Sequence, residues 1–294
     1  MSVGIEEVWK NFAEIKLYNT KGKETEILRW EKHIYPYFRG KTIAEINNLE
    51  VSKFTRYLEE KTLSPQTRAH ILGLLRRVIL QSIKWEIYSG PPPHFEMPKF
   101  DNKSLRYLTI EEADLLFAEL KKRSILWHDF SLLALNTACR SGELLKLDCG
   151  SVDTVNKCLY ILDSKNSKTR VVPLNKVAFS VIKKYLTKNN ENRVFTYKGK
   201  NIDSVSPTFR RCVSAVGLNE NISDRRYRVT FHTLRHTAAS WMIQEGVPLL
   251  VVCRLLGHCS LKTTMRYAHL DPTQRELAIN VIEMATKKIF SSNY

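Results

Sequence analysis

Two arginines, two histidines, a lysine and a tyrosine stand near the ends of segments in the later part of the chain: Arg140, Lys165, His232, Arg235, His258 and Tyr267. As a set they can cleave a phosphodiester without a metal ion. The tyrosine supplies an oxygen nucleophile. The arginines hold non-bridging phosphate oxygens through forked, charge-assisted bonds as charge builds. Histidine and lysine move protons to and from the entering and leaving oxygens. Singly, each has a plainer reading. Arg140, in Thr137-Ala138-Cys139-Arg140-Ser141-Gly142-Glu143, could cap the carboxyl end of an apolar helix. Lys165 could be a solvated turn residue, and Tyr267 a buried structural one.

A metal fits the same region less well. His232 and Arg235 are three apart, so on a helix they share a face, while Leu234, Ala238, Trp241 and Met242 form the apolar side. His232 and His236 have i, i+4 spacing but lack the Glu directly after the first His that the metalloprotease motif needs. Cys253, His258 and Cys259 are close in sequence without a fourth ligand at matching spacing. The six cysteines, Cys139, Cys149, Cys158, Cys212, Cys253 and Cys259, are scattered and form no CxxC pair, which favours reduced core thiols. No metal and no cofactor are expected.

The charge balance suits a polyanionic partner, the plainer reading being a basic protein with no nucleic-acid role. Lys plus Arg number 46 against 30 Asp plus Glu, a net +16. Residues 1–100 contribute +4 and residues 101–294 contribute +12, so the excess follows the folded chain and is not packed into a basic arm. Hydrophobic residues at 43% can bury real cores, which excludes a wholly disordered protein. No apolar run reaches the roughly 18 residues that a membrane helix needs. The first residues, Met1 to Glu7, carry acids where a secretory signal has basic residues. A soluble, intracellular protein is expected.

The elements that must position these residues divide at prolines. Ser89 to Ser104 contains four prolines, three of them consecutive, and reads as an extended linker. Before it, apolar spacing predicts helices over Glu6–Leu17, Glu24–Tyr35 (stopped by Pro36), Val51–Lys61 and Pro65–Tyr88. Arg68, Arg76, Arg77 and Lys84 on the last are either solvated or a phosphate-facing stripe. After the linker, Thr109-Ile110-Glu111-Glu112 reads as a capping box for a helix to about Lys122, followed by one from Ile125 to Thr137. Cys158–Leu162 and Thr169–Val172 read as two strands around a polar turn, ended by Pro173. Further helices are expected around Asn175–Thr187, Ser206–Val216, Thr233–Glu245, Pro248–Leu256 and Pro272–Ile289, with Gly257 closing the fourth of these.

With these motifs in order, the chain resembles the tyrosine site-specific recombinases, the phage integrase and Xer-type group, over nearly its whole length. Arg140 with Glu143 resembles the family's first box and Lys165 its hairpin lysine. His232-x-x-Arg235 resembles the second box, and Leu255-Leu256-Gly257-His258 followed by Tyr267 the third box and nucleophile. Two departures stand out: Ala138 replaces the usual Gly before the first Arg, and Lys168 is a second lysine beside the hairpin turn. Lys165 is preferred on the family's spacing to Arg170-Val171-Val172-Pro173-Leu174. No additional amino-terminal arm-binding domain is visible.

The resemblance implies a mainly α fold. A four-helix, SAM-like core-binding domain would span 1–89, a linker 90–104, and an α-rich catalytic domain with a small antiparallel sheet 105–294. It implies site-specific recombination of double-stranded DNA through a 3′-phosphotyrosyl intermediate, without ATP, by a homotetramer in the cytoplasm, with no membrane partner. Tyr267 would be the nucleophile, His232 the general base and Lys165 the general acid. Arg140, Arg235 and His258 would stabilise the transition state, and Glu143 would position its neighbours. His236 and His269 are read as core or surface histidines. Pro272–Ile289 would dock on a neighbouring subunit or pack on its own domain. A type IB topoisomerase and a non-catalytic DNA-binding protein on the same fold are the alternatives.

Overall fold

Helical apolar spacing interrupted by prolines sets the architecture. The computed structural model describes residues 3–20, 22–101, 106–163, 168–186, 192–258, 260–270 and 282. It separates into two compact units, Met1–Asn102 and Lys103–Tyr294.

In the first unit, α1 (Ile5–Ile15), α2 (Lys23–Arg29), α3 (Tyr35–Phe38), α4 (Asn48–Glu60) and α5 (Pro65–Lys84) enclose one core. Pro36 does not stop the second predicted helix. The chain widens into a π turn at Trp30–Ile34 and continues into α3, placing Pro36 in a first turn where its missing N–H is tolerated. α5 is capped by Ser64, whose Oγ accepts from the Thr67 amide at 3.2 Å. It buries Ile71, Leu74, Leu75 and Val78 against Phe38 and Phe54 from α3 and α4. Two of its four basic residues are engaged, Arg68 with Glu59 at 2.8 Å and Arg77 with Glu26 at 2.9 Å, while Arg76 and Lys84 are exposed. The proline-rich stretch 91–101 has no regular secondary structure. Its Phe95 is nonetheless buried in this unit's core, so part of the expected linker packs as structure.

The second unit is built around helices and one small sheet. Its helices are α6 (Ile110–Arg123), α7 (Ile125–Thr137), α8 (Ser141–Leu145), α9 (Lys176–Leu186), α10 (Pro207–Ala215), α11 (Phe231–Gln244), α12 (Leu249–Leu256) and α13 (Leu261–Thr264). β1 (Val152–Asp153), β2 (Cys158–Asp163) and β3 (Lys168–Pro173) form an antiparallel sheet in the order β1-β2-β3. Leu159 pairs with Val172 and Ile161 with Arg170, so alternation turns these four to the core and leaves Tyr160, Leu162 and Val171 outside. A separate two-stranded hairpin pairs β4 (Thr196–Tyr197) with β5 (Lys200–Asn201). α8, β1 and this hairpin are too short to leave a periodic signal.

α11 is the central helix. Thr233 to Ser240 are all buried, so its apolar pattern is nearly all-round, as a core helix requires. It ties to the segment that enters the unit: Leu108 N donates to Thr237 Oγ1 and Trp241 Nε1 donates to Leu108 O, both at 3.0 Å. Pro272–Ile289 lies outside the described residues, apart from Ile282. Among the described residues no helix is long and apolar enough to cross a membrane.

The capping box at the start of α6 is complete. Thr109 Oγ1 accepts from Glu112 N at 3.2 Å, and Glu112 Oε2 accepts from Thr109 N at 3.0 Å. Thr109→Ala should therefore cost about 1 kcal/mol, read as a lower urea midpoint at an unchanged slope.

Candidate active site

The turn between α7 and α8 delivers Arg140. α7 ends on Ala138, which adopts the left-handed conformation (φ 52°) and is buried. An alanine adopts this conformation at a steric cost of about 1 kcal/mol, which a glycine would not carry. Arg140 then stands at the N-cap of α8 rather than at the end of α7. Its amide donates to Glu143 Oε2 at 2.7 Å and its guanidinium to Glu143 Oε1 at 2.9 Å. The Arg140 side chain is still 41% exposed, so much of the fork faces outward.

Glu143 holds a second arginine. Arg170, on the inward face of β3, makes a forked pair with it at 2.9 and 2.7 Å and donates through Nε to the Leu255 carbonyl at 3.3 Å. Burial alone would raise the Glu143 carboxyl, but the Arg170 hydrogen bonds and charge, with those of Arg140, take it down to about 2. Gly257 ends α12 at φ 65°, and a Cβ there would come 2.7 Å from Arg170 Cδ. The glycine is needed twice, for the turn and for the arginine beneath it.

Arg235 lies deeper, 3% exposed on α11. It donates to the Ala138 carbonyl at 2.9 Å and to the Leu256 carbonyl at 2.7 Å, tying the α7 turn to the end of α12. Burial and then the Arg140 charge lower it to about 10, which keeps it protonated at neutral pH. His258 follows Gly257. Its Nδ1 is 2.7 Å from Thr264 Oγ1, and burial followed by the Arg235 and Arg140 charges lowers it to about 4.

Tyr267 sits in the 3-10 turn Met265–Leu270 and is 5% exposed, packed with Ala138, Ala239, Val252 and Leu256. Burial raises its phenol, with Arg266 and Arg235 opposing. Its hydroxyl is hydrogen-bonded to His236 Nδ1. His232 is exposed at the start of α11, its ring edge-on to His236 at 4.7 Å, and partial desolvation with the Arg235, Arg140 and Arg266 charges lowers its pKa.

The structure thus brings Arg140, Arg235, His232, His258 and Tyr267 around the facing ends of α7, α11 and α12. Lys165, the side chain of Lys168 and that of His269 lie outside the described residues; β2 and β3, which flank the turn, are paired as far as Asp163 and Lys168. His236, read from sequence as a core or surface residue, is buried and partnered to the Tyr267 hydroxyl. Spacing gave no role to Arg170 or Thr264. For Arg170 a signal existed, since it shares strand parity with buried Val172. Among the described residues no three His, Cys, Asp or Glu side chains gather as a metal cluster would.

The sequence profile of the phage integrase family matches residues 106–274, more than half of the chain. The chain belongs to the phage integrase family. The tyrosine recombinase XerA of Pyrococcus furiosus is 26% identical over 277 residues, 93% of this chain and 93% of that protein. The integrase of Salmonella phage P22 is 31% identical over 221 residues, 72% of this chain and 56% of the integrase. Among solved structures, the Tn1549 transposon integrase in complex with a circular intermediate DNA superposes with a TM-score of 0.73 at 17% identity, covering 91% of this chain and 95% of that one. A lambda integrase tetramer bound to a Holliday junction gives 0.73 at 17% identity, covering 88% and 78%. Arg140, Glu143, His232, Arg235 and His258 all fall within the matched residues, on the elements described above.

The Glu143 pairs predict a pH response. A carboxyl depressed in the folded state contributes stability above its unfolded pKa and loses it as pH falls toward its folded value, here from about 4.5 to about 2. Discounted for the part of the group facing water, the loss is about 2 kcal/mol. Glu143→Gln should be less stable at pH 7 and should converge with the wild type near pH 2, read by urea unfolding. Parallel profiles would contradict the pairing.

Proposed function

We propose that this site-specific DNA recombinase breaks and rejoins strands through a 3′-phosphotyrosyl link on Tyr267. The observation that carries the reading is the convergence of Arg140, Arg235, His232 and His258, with Tyr267 buried beside the end of α12. In the cleavage step the Tyr267 oxygen forms a bond to the scissile phosphorus and the bond to the 5′-oxygen breaks. His232, neutral at physiological pH and open to solvent, takes the phenolic proton. A hairpin lysine, Lys165 by family spacing or Lys168, gives a proton to the leaving 5′-oxygen. The 5′-hydroxyl of a partner strand then reverses the step and restores a phosphodiester. Ester is exchanged for ester, so no ATP is required, and no metal or cofactor enters the scheme.

Arg140, Arg235 and His258 direct N–H donors at the oxygens on which charge builds, each worth about 3 kcal/mol by analogy with an oxyanion-hole donor. Glu143 and Arg170 hold Arg140 without reaching the phosphate. The division at Asn102 and Lys103 supports reading 1–89 as a core-binding domain, 90–104 as a linker and 105–294 as the catalytic domain. The net charge of +16 favours duplex DNA as partner. A homotetramer acting on two sites is favoured by the lambda integrase neighbour, a tetramer on a Holliday junction. The cytoplasm is the compartment we assign.

Covalent trapping tests the chemistry. Duplexes that the protein binds are selected from a random library, then remade with a nick or a bridging phosphorothiolate and mixed with protein without magnesium. A protein–DNA band that survives SDS and disappears in Tyr267→Phe is expected. No band on a duplex that is bound, even with magnesium restored, removes the recombinase chemistry and leaves DNA binding. Nicking and resealing without exchange between duplexes would mark a topoisomerase. If about 8 phosphates are neutralised, log affinity against log salt should fall with a slope of about −7, checked by fluorescence anisotropy.

A further inference from the structure

His236 is one residue past Arg235 on α11 and 7% exposed. Its Nδ1 and the Tyr267 hydroxyl are hydrogen-bonded, with ring centroids 5.9 Å apart. Among the described residues that hydroxyl has no other hydrogen-bond partner. The direction of the bond follows from this. Were Nδ1 to carry the proton, the phenolic hydrogen would be buried without an acceptor. The phenol therefore donates, and Nδ1 is the lone-pair nitrogen of a neutral imidazole.

We propose that His236 is a positioning residue for the nucleophile: it holds Tyr267 in a buried, protonated resting position that must be released before the oxygen attacks phosphate. The inference rests on the reading of Tyr267 as nucleophile. It assigns His236 a role that the general base does not cover. The charged and titratable groups facing this pair are His232 and Arg235 on α11, Arg266 beside Tyr267, and His258 after α12. Burial and then these neighbours lower His236 to about 3 while burial raises the phenol. The imidazole cannot keep the phenolic proton against that difference, so it restrains Tyr267 and does not activate it. A phosphodiester drawn in by Arg140 and Arg235 brings the competing interactions that release the hydroxyl, which is then free to meet His232. A nucleophile stored in this way stays protonated until DNA is bound.

Three measurements on the full chain test this, using the bridging-phosphorothiolate duplex of the trapping experiment. His236→Ala removes the acceptor and His236→Asn keeps one near the Nδ1 position. At saturating protein, His236→Ala should form the covalent complex about tenfold faster, the factor of one lost hydrogen bond, with DNA affinity unchanged. His236→Asn should return the rate toward wild type. Independently of either variant's folding, the side-chain 15N resonance of His236 Nδ1 in DNA-free protein should move in Tyr267→Phe. A resonance that stays put overturns the proposal. So does a folded, DNA-bound His236→Ala that cleaves at the wild-type rate, or one that does not cleave, which would place His236 in the chemistry itself. A wild-type protein that forms no covalent complex would instead count against Tyr267 as nucleophile.

Discussion

A single carboxylate, Glu143, holds two guanidinium groups and through them three separated parts of the chain. It takes Arg140 on its own turn, and it takes Arg170 from the sheet, which in turn reaches the Leu255 carbonyl at the end of α12. Taking such charges out of water is costly, and the cost is offset only when every donor and acceptor is met in good geometry. Here the geometry is forked on the Arg170 side and doubled by a backbone amide on the Arg140 side. Removing Glu143 leaves Arg170 largely buried without its carboxylate. The position of Arg140 is consequently set by its pairing with Glu143, which Arg170 in turn holds.

Charge and burial together decide the protonation of the site. Arg235, which keeps its charge, lies beside three histidines that do not hold one at neutral pH. Anions are attracted by the fixed charges, and the neutral imidazoles remain able to accept protons. The same crowding makes the site sensitive to occupancy, since a bound phosphate offsets the arginine charges that lower each histidine. Burial and the guanidinium groups at the facing ends of α7, α11 and α12 thus act together to keep the histidines neutral.

Much of this was legible before any coordinates. The Thr109 capping box, the strand pair around its polar turn and the helices of both units follow from spacing and punctuation, because each signal is local. Arg140, His232, Arg235, His258 and Tyr267 could be picked out because their residue types and order match a family pattern. What resisted reading was long-range. Pro36 argued for a stop, yet a π turn absorbed it. Arg170 and Glu143 are 27 positions apart, and His236 and Tyr267 are 31 apart, so no window of sequence contains either pair. Short elements such as α8 and β1 lie below the length at which periodicity can speak.

The carbonyls at the end of α12 are met by arginines from elsewhere, Leu255 by Arg170 and Leu256 by Arg235. A helix end normally borrows such donors from water or from its own next turn. Here one proposed phosphate ligand, Arg235, and one arginine of the supporting network, Arg170, together form the helix's end cap. A protein silenced by deleting a guanidinium would also have its third-box loop loosened, and its failure to bind or assemble would then say little about chemistry. For capturing this protein on DNA in an inert form, the hydroxyl of Tyr267 is the better atom to remove, because among the described residues no backbone carbonyl depends on it.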